Sequence, residues 1–187
     1  MVLMLRQHSD ISFEIFTIDG LYSKDQIEEW YSYVDLSPRE RPFTNAGFKN
    51  GKVILPYISS KMWGSISKNL PETYTDRNAK KWQLTRASKY VMYAKVAPGE
   101  RFPIHTDTGA DLSCKEESKF TVLTYLNDDF EGGNTVFYDG NFNKTVEIEP
   151  KKGRTLIFDI NLFHAGMEVT HGNKLWIGTE LVAKSLI

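Results

Sequence analysis

The chain has 187 residues, 41% of them hydrophobic and 13% aromatic, with 23 basic residues against 24 acidic ones. That length and composition bury a sizeable core and read as one domain, 1–187, while near-neutrality without a lysine or arginine stripe argues against a nucleic-acid partner. The first apolar run, MVLML, is too short for a signal-peptide core, nothing approaches transmembrane length, and the single cysteine, Cys114, excludes an internal disulfide, so the expected setting is the reducing cytoplasm with no membrane partner.

Residues 12–18, SFEIFTI, alternate and predict a first strand, which Asp19-Gly20 then turns. Residues 23–34 predict a helix: Ser23 is a fitting N-cap, Gln26 completes a capping box, and Ile27, Trp30, Tyr31 and Val34 recur at helical spacing. Residues 36–52, with Pro38, Pro42, Gly47 and Gly51, predict a polar loop. A second helix is expected over 56–70, where Ile58, Met62, Ile66 and Leu70 recur every four residues and Trp63 widens the stripe, although Gly64 weakens it. Residues 71–81 return to a polar loop. No linker, repeat or low-complexity tract follows, so the helical part, about 20–70, is expected to buttress the second half rather than stand alone.

That second half, a core of about 88–183, is a series of short runs rich in Val, Ile, Thr, Tyr and Phe at 88–97, 119–126, 135–138, 145–148, 154–158 and 175–182. Turn signals separate them, among them Pro98-Gly99, Gly132-Gly133, Lys152-Gly153 and His171-Gly172. Short strands that follow helices instead of alternating with them predict an α+β, mainly β, fold with a sandwich or barrel. The version that places metal ligands inside its mouth is the double-stranded β-helix, the cupin-type jelly roll. Residues 108–118, long and polar, suit either a lid or a surface loop.

Within RFPIHTD, His105 and Asp107 lie two apart in an extended segment, so imidazole and carboxylate point to one side and can reach a common point. His164, where the strand-like run of LIFDINLFHAG meets a turn, is the natural third ligand. Two histidines and a carboxylate on one face of an ion suit Fe(II) and leave the opposite positions open. An H-x-D pair alone is weak evidence, and a lone histidine in an apolar run is usually a satisfied core residue. The weight comes from Lys174, ten positions after His164 at the start of LWIGTELV. A fixed cation there suits a dicarboxylate whose other end chelates the metal. Arg101 and Trp176 are candidates for facing a substrate, while His171, His8, Glu131 and Asn134 read as surface, terminus and turn chemistry.

Three stretches, PGERFPIHTD, FTVLTYLNDDFEGGNTVF and KKGRTLIFDINLFHAGMEVTHGNKLWIGTEL, occur in an order and at spacings by which residues 90–182 resemble the iron(II)- and 2-oxoglutarate-dependent dioxygenases, in particular their prolyl-4-hydroxylase-like branch. The resemblance implies His105, Asp107 and His164 as catalytic metal ligands, Lys174 as the base that binds the far carboxylate of 2-oxoglutarate, and Thr121 as a hydrogen-bond partner of that carboxylate. Where relatives usually carry a tyrosine, nine residues before the first histidine, this chain has Val96. Tyr93 and Tyr125 are the nearby substitutes, with Tyr93 expected on the opposite face of its strand. The implied cofactors are Fe(II), 2-oxoglutarate and O2, with ascorbate as an option. The implied reaction decarboxylates 2-oxoglutarate to succinate and attacks an unactivated C–H bond. Asp107, which halogenating relatives replace by a small residue, points to hydroxylation.

Three functions are weighed on this basis. The leading one is hydroxylation of a peptidyl residue, proline first. The second is the same chemistry on a free amino acid or other small metabolite, because loops read the substrate. The third is a cupin-like binding module without chemistry, against which the complete ligand set and Lys174 argue. Demethylation of nucleic-acid bases is disfavoured, since no arginine follows His164 to form that group's usual cluster. The expected partner is a peptide, a protein or a small molecule.

Overall fold

The computed structural model describes residues 4–7, 15–37, 49–109, 111–113 and 115–186. Strands β1 (Met4–Gln7) and β2 (Ile15–Asp19) precede helix α1 (Lys24–Leu36). The helix starts as its sequence dictates: the Gln26 amide donates to Ser23 Oγ while the Ser23 amide donates to the Gln26 side chain, which satisfies two otherwise orphaned donors. Strand β3 (Lys49–Ile54), helix α2 (Pro56–Ile66), β4 (Thr73–Thr75) and the long β5 (Lys81–Val96) follow. Next come β6 (Phe102–His105), β7 (Asp111–Ser113), β8 (Glu116–Tyr125), β9 (Glu131–Gly132) and β10 (Thr135–Tyr138). The described chain closes with β11 (Lys144–Ile148), β12 (Arg154–Asp159), β13 (Phe163–Gly166), β14 (Val169–His171) and β15 (Lys174–Ser185).

The pairings are antiparallel and make two sheets and a small ribbon. The major sheet runs β1-β2-β12-β8-β15-β5-β3, with β4 added to β5 and β7 to β8; the minor sheet runs β11-β10-β13-β6; β14 pairs with β9. Each face of the major sheet has its own cover. One face presents Ile18, Trp82, Val91, Phe120 and Ile177 to Ile27, Trp30 and Val34 of α1 and to Ile58, Met62 and Ile66 of α2. The other presents Ala94, Val96, Tyr125, Leu156, Phe158 and Trp176 to the minor sheet, where Phe137 and Ile148 meet them. This is the mainly β jelly roll with its helices on the outside. Strand periodicity fixes which side chains enter the space between the sheets: along β15, Leu175 and Ile177 go to the helices, so Lys174 and Trp176 go to the interior. Among the described residues, no helix is long and apolar enough to cross a membrane.

Several expectations need correction. The first strand begins at Ile15 within the described residues, the rest of 12–18 lying outside them. Of the expected loop 36–52, residues 38–48 lie outside the description, and from Lys49 the chain is strand, paired along its whole length with β5. Helix α2 stops at Ile66, where the Ser67 amide bonds back to Trp63, and the loop 71–81 contains β4. The strand expected at 88 starts at Lys81. Ala87 and Ser88 are both buried there and the pairing with β15 shifts register, a bulge that breaks the period-2 signal. In the polar stretch 108–118, β7 pairs with the start of β8, so part of it is a hairpin edge on the major sheet.

Candidate active site

Two short strands of the minor sheet bring the histidines together. In the β13–β6 pairing His164 lies directly opposite His105, and the ring centroids are 4.3 Å apart. Asp107 follows β6 by two residues and is tied down by its amide, which donates to the Ile160 carbonyl at 3.0 Å. Its Oδ1 then lies 3.6 Å from His105 Nε2 and 3.8 Å from His164 Nε2. One ligand atom from each of the three residues falls within 4.8 Å of the others.

The groups behind these atoms decide what they can do. His105 Nδ1 is 2.7 Å from the Pro103 carbonyl and His164 Nδ1 is 3.0 Å from the Leu162 carbonyl. A carbonyl only accepts, so each Nδ1 carries hydrogen and each neutral ring turns the lone pair of Nε2 toward Asp107. On the other side, Thr121 Oγ1 donates to Asp107 Oδ2 at 2.5 Å, leaving Oδ1 for the common point. Donors about 2.1 Å from a metal and at right angles lie roughly 3 Å apart, so the 3.6 and 3.8 Å separations of Asp107 Oδ1 from the two Nε2 atoms would each close by under 1 Å around an ion. The donor set, two imidazoles and one carboxylate on one face, fits a divalent ion of the Fe(II) type.

Electrostatics agree with a site prepared for a cation. Burial disfavours charge on His164, and His105 beside it adds to this, so its pKa is lowered and the ring stays neutral. Burial also opposes the charge on His105, but the Asp107 carboxylate and the Pro103 carbonyl beside the ring outweigh it and raise the pKa. For Asp107, burial is likewise outweighed by His105, His164 and Thr121, and the pKa is lowered. A proton on His105 Nε2 therefore competes with metal. Because the His105 pKa is raised, Fe(II) affinity is expected to fall as pH drops through that pKa, with proton release on binding; calorimetric titration in two buffers of different ionisation enthalpy measures it.

Lys174 opens β15 on the interior face and is 4% exposed. Its Nζ donates to the Gly133 carbonyl at 2.5 Å and sits 5.1 Å from the centre of the Tyr125 ring. Among the described residues no carboxylate pairs with it, and burial pushes its pKa down to about 7. A buried amine without an anion is costly to keep unless a ligand supplies one. It lines a cavity of about 400 Å³ together with His105, Asp107, His164, Thr121, Phe102, Leu123, Phe158 and Trp176, with Lys52 and Glu180 also on its wall.

The remaining expected site residues divide. Trp176 lines the cavity, edged by Phe102 at 5.9 Å between ring centroids. Thr121 also lines it, but its hydroxyl hydrogen is on Asp107, so it orients that carboxylate instead of pointing to a cosubstrate. Tyr125 does not reach the cavity: fully buried beneath Lys174, its hydroxyl bonds Thr135 Oγ1 at 2.8 Å. Tyr93 lies on the helix-facing side of β5 against Tyr33 and over Gly51, because it is an odd number of residues from Val96. Val96 itself is directly opposite Lys174 and is buried in the apolar core between the sheets. Arg101 is exposed and off the cavity lining. Sequence reasoning missed Gly133, Lys52 and Glu180. The signal for Gly133 was present in the Gly132-Gly133 pair: both have positive φ, and a Cβ on Gly133 would come within 3.1 Å of the Lys174 stem.

Residues 88–179 match the family model of the 2OG-Fe(II) oxygenase superfamily. No curated protein sequence matches the chain. Among solved structures, a viral collagen prolyl hydroxylase from Paramecium Bursaria Chlorella virus-1 is similar at TM-score 0.61 and 21% identity, over 92% of this chain and 97% of that one. A Pseudomonas putida prolyl-4-hydroxylase is similar at TM-score 0.64 and 12% identity, over 91% and 92%. A Trichoplax adhaerens prolyl hydroxylase, solved with a peptide fragment of the hypoxia inducible factor oxygen degradation domain, is similar at 0.63 and 19%, over 91% and 84%. At these identities the likeness is one of fold.

Proposed function

We propose that this chain, which belongs to the 2OG-Fe(II) oxygenase superfamily, hydroxylates an unactivated C–H bond of a peptidyl residue, with proline the first candidate. The family's reagents are Fe(II), 2-oxoglutarate and O2, which together supply decarboxylation to succinate and the oxidising power for the C–H bond. The protein's share is binding, orientation and electrostatics.

In this reading His105 Nε2, His164 Nε2 and Asp107 Oδ1 hold the metal, and the Pro103 and Leu162 carbonyls and the Thr121 hydroxyl keep them aimed. Lys174 binds the far carboxylate of 2-oxoglutarate. Phe102, Leu123, Phe158 and Trp176 wall the cavity with apolar surface and keep water from the reacting atoms. The observation that carries the proposal is the convergence of three ligand atoms in a cavity that also holds a buried amine with no carboxylate partner among the described residues. The peptide substrate is supported by the prolyl hydroxylases that share the fold, one of which was solved with a peptide. The catalytic unit is taken as 1–187, and the single cysteine supports a reducing compartment such as the cytoplasm.

The test is a screen of peptide and free amino-acid pools for substrate-stimulated succinate, with mass spectrometry for a gain of one oxygen. The expected hit is a proline-containing peptide. Oxidation of free metabolites alone would remove the peptide reading and leave the oxygenase chemistry standing.

A further inference from the structure

The cavity reaches two strand edges. β3 ends the major sheet and β6 ends the minor one, and among the described residues no strand pairs with the outer side of either. Gly51 and Lys52 of β3 and Phe102, Pro103 and His105 of β6 line the same cavity as the metal ligands and Lys174. A bare strand edge is a row of unsatisfied N–H and C=O groups, which proteins ordinarily blunt or cover. Here the edge borders the site.

The backbone groups of β3 divide between its two sides. Just after the strand, the Leu55 amide donates to the Lys89 carbonyl at 3.1 Å, in the same register that pairs Val53 with Val91 and Gly51 with Tyr93. Hydrogen-bonded and non-hydrogen-bonded pairs alternate along an antiparallel ladder. Gly51 and Val53 therefore turn their N–H and C=O groups to β5, while Asn50, Lys52 and Ile54 turn theirs to the free edge. Side chains alternate as well: Val53 packs on the helix-facing core, so Lys52 and Ile54 lie on the cavity side. Ile54 is 56% exposed there and adds apolar surface beside the edge.

We infer that the substrate peptide binds as an extended strand added to the edge of β3, parallel to it, with the residue to be hydroxylated opposite Lys52. This rests on the peptidyl reading above and gives that site its mode of recognition, in which main-chain bonds supply affinity and alternate side chains supply specificity. A residue opposite Lys52 shares its cavity-facing side. With packed sheets about 10 Å apart, its side chain points across to the histidines carried by β6 and β13. Proline decides the direction. In a parallel pair the Lys52 N–H donates to the carbonyl of the residue before the target, and the Lys52 carbonyl accepts from the N–H of the residue after it. The target's own nitrogen then faces away from β3, and a proline there loses no bond; in an antiparallel pair that nitrogen would have to donate. A free amino acid has no flanking residues to make these bonds.

The experiment measures equilibrium binding of fluorescently labelled heptapeptides, with threonine and valine alternating around a central proline, to protein loaded with Fe(II) and 2-oxoglutarate in the absence of oxygen. The unmodified peptide is expected to bind at least about tenfold tighter than proline amide, which is read by competition. N-methylation of the residue after the proline removes the donor to Lys52 and should weaken binding about fivefold or more, whereas N-methylation one residue further on, where the N–H faces away, should change it by about twofold at most. Lys52→Pro and Lys52→Ala both remove the amine, but only the first removes the outward N–H, so Lys52→Pro should bind about fivefold or more weaker than Lys52→Ala. The ladder to β5 does not use that N–H, so it survives both changes. Undetectable binding of the heptapeptide, equal or reversed effects of the two methylations, or equal binding to the two variants overturns the inference. Should Lys52→Pro not fold, the methylated pair on the wild type carries the test. Loading with Fe(II) and 2-oxoglutarate is measured first without any peptide, so failure of the oxygenase reading is seen separately. In air the heptapeptide is checked for a gain of one oxygen: a gain with a flat methylation pattern removes the strand pairing and leaves the peptidyl reading standing.

Discussion

Asp107→Ala is expected to give a folded protein that neither retains Fe(II) nor turns over. The carboxylate is the shared element of the site: its Oδ1 faces both histidine Nε2 atoms at 3.6 and 3.8 Å, and without it two neutral imidazoles are left to hold a dication. Its removal also leaves the Thr121 hydroxyl without its acceptor, a small loss beside a missing ligand. Thr121→Val provides the scale. It removes only the hydrogen bond behind the ligand and should weaken metal binding by roughly 10- to 100-fold, whereas Asp107→Ala should exceed that range. The fold should survive, because Asp107 lies in a segment after β6 at the rim of the cavity and belongs to neither hydrophobic core. Iron stoichiometry and circular dichroism check both halves. Full iron content and activity in Asp107→Ala would remove it from the ligand set.

Lys174→Met is expected to separate function from stability. Truncating one partner of a buried charge pair typically costs 2 kcal/mol or more, so the requirement for 2-oxoglutarate should rise by at least about thirtyfold. The melting temperature should hold or rise, because a buried amine without a carboxylate partner becomes an apolar chain of similar length, although the Gly133 carbonyl loses its donor. Burial lowers the folded pKa from 10.5 to about 7, so between those values the unfolded chain binds the extra proton and stability rises with pH through that window. The methionine variant should lose this rise. In the role proposed for Lys174 its cation is present below about pH 7, so 2-oxoglutarate affinity is expected to weaken as pH increases above it. Thermal melts and cosubstrate titrations across pH measure both. An unchanged cosubstrate dependence in Lys174→Met would place the basic partner elsewhere.

What could be read from the sequence follows the strength of local signals. The capping box of Ser23 and Gln26, the stripe of α1 and the strand at 135–138 are local, periodic features, and they reappear with nearly the same bounds. The segment of His105 reads as extended, but neither it nor the segment of His164 stands out as a strand of its own. Phe102–His105 and Phe163–Gly166 are four residues long, the first contains Pro103, and neither gives enough alternation to be seen without its partner. Their residues stand out instead through chemistry, because H-x-D, a later histidine and a lysine are residue types that suit a metal and a dicarboxylate, and the fold brings His105, Asp107 and His164 together. The second ring of contacts was hidden for a different reason. That Thr121 holds Asp107, that Tyr125 supports Lys174 from below and that Glu180 stands beside Thr121 are consequences of register between strands far apart in the chain, and register is fixed only when the whole sheet is assembled.

The most direct measurement is succinate formation by the Fe(II)-loaded protein under isotopically labelled O2, with the products analysed by mass spectrometry. An oxygenase with this site should form succinate and hydroxylated substrate one for one, with label in the hydroxyl group, and should lose both products in Asp107→Ala. Product oxygen drawn from water, turnover that does not require 2-oxoglutarate, or unchanged turnover in Asp107→Ala would contradict it.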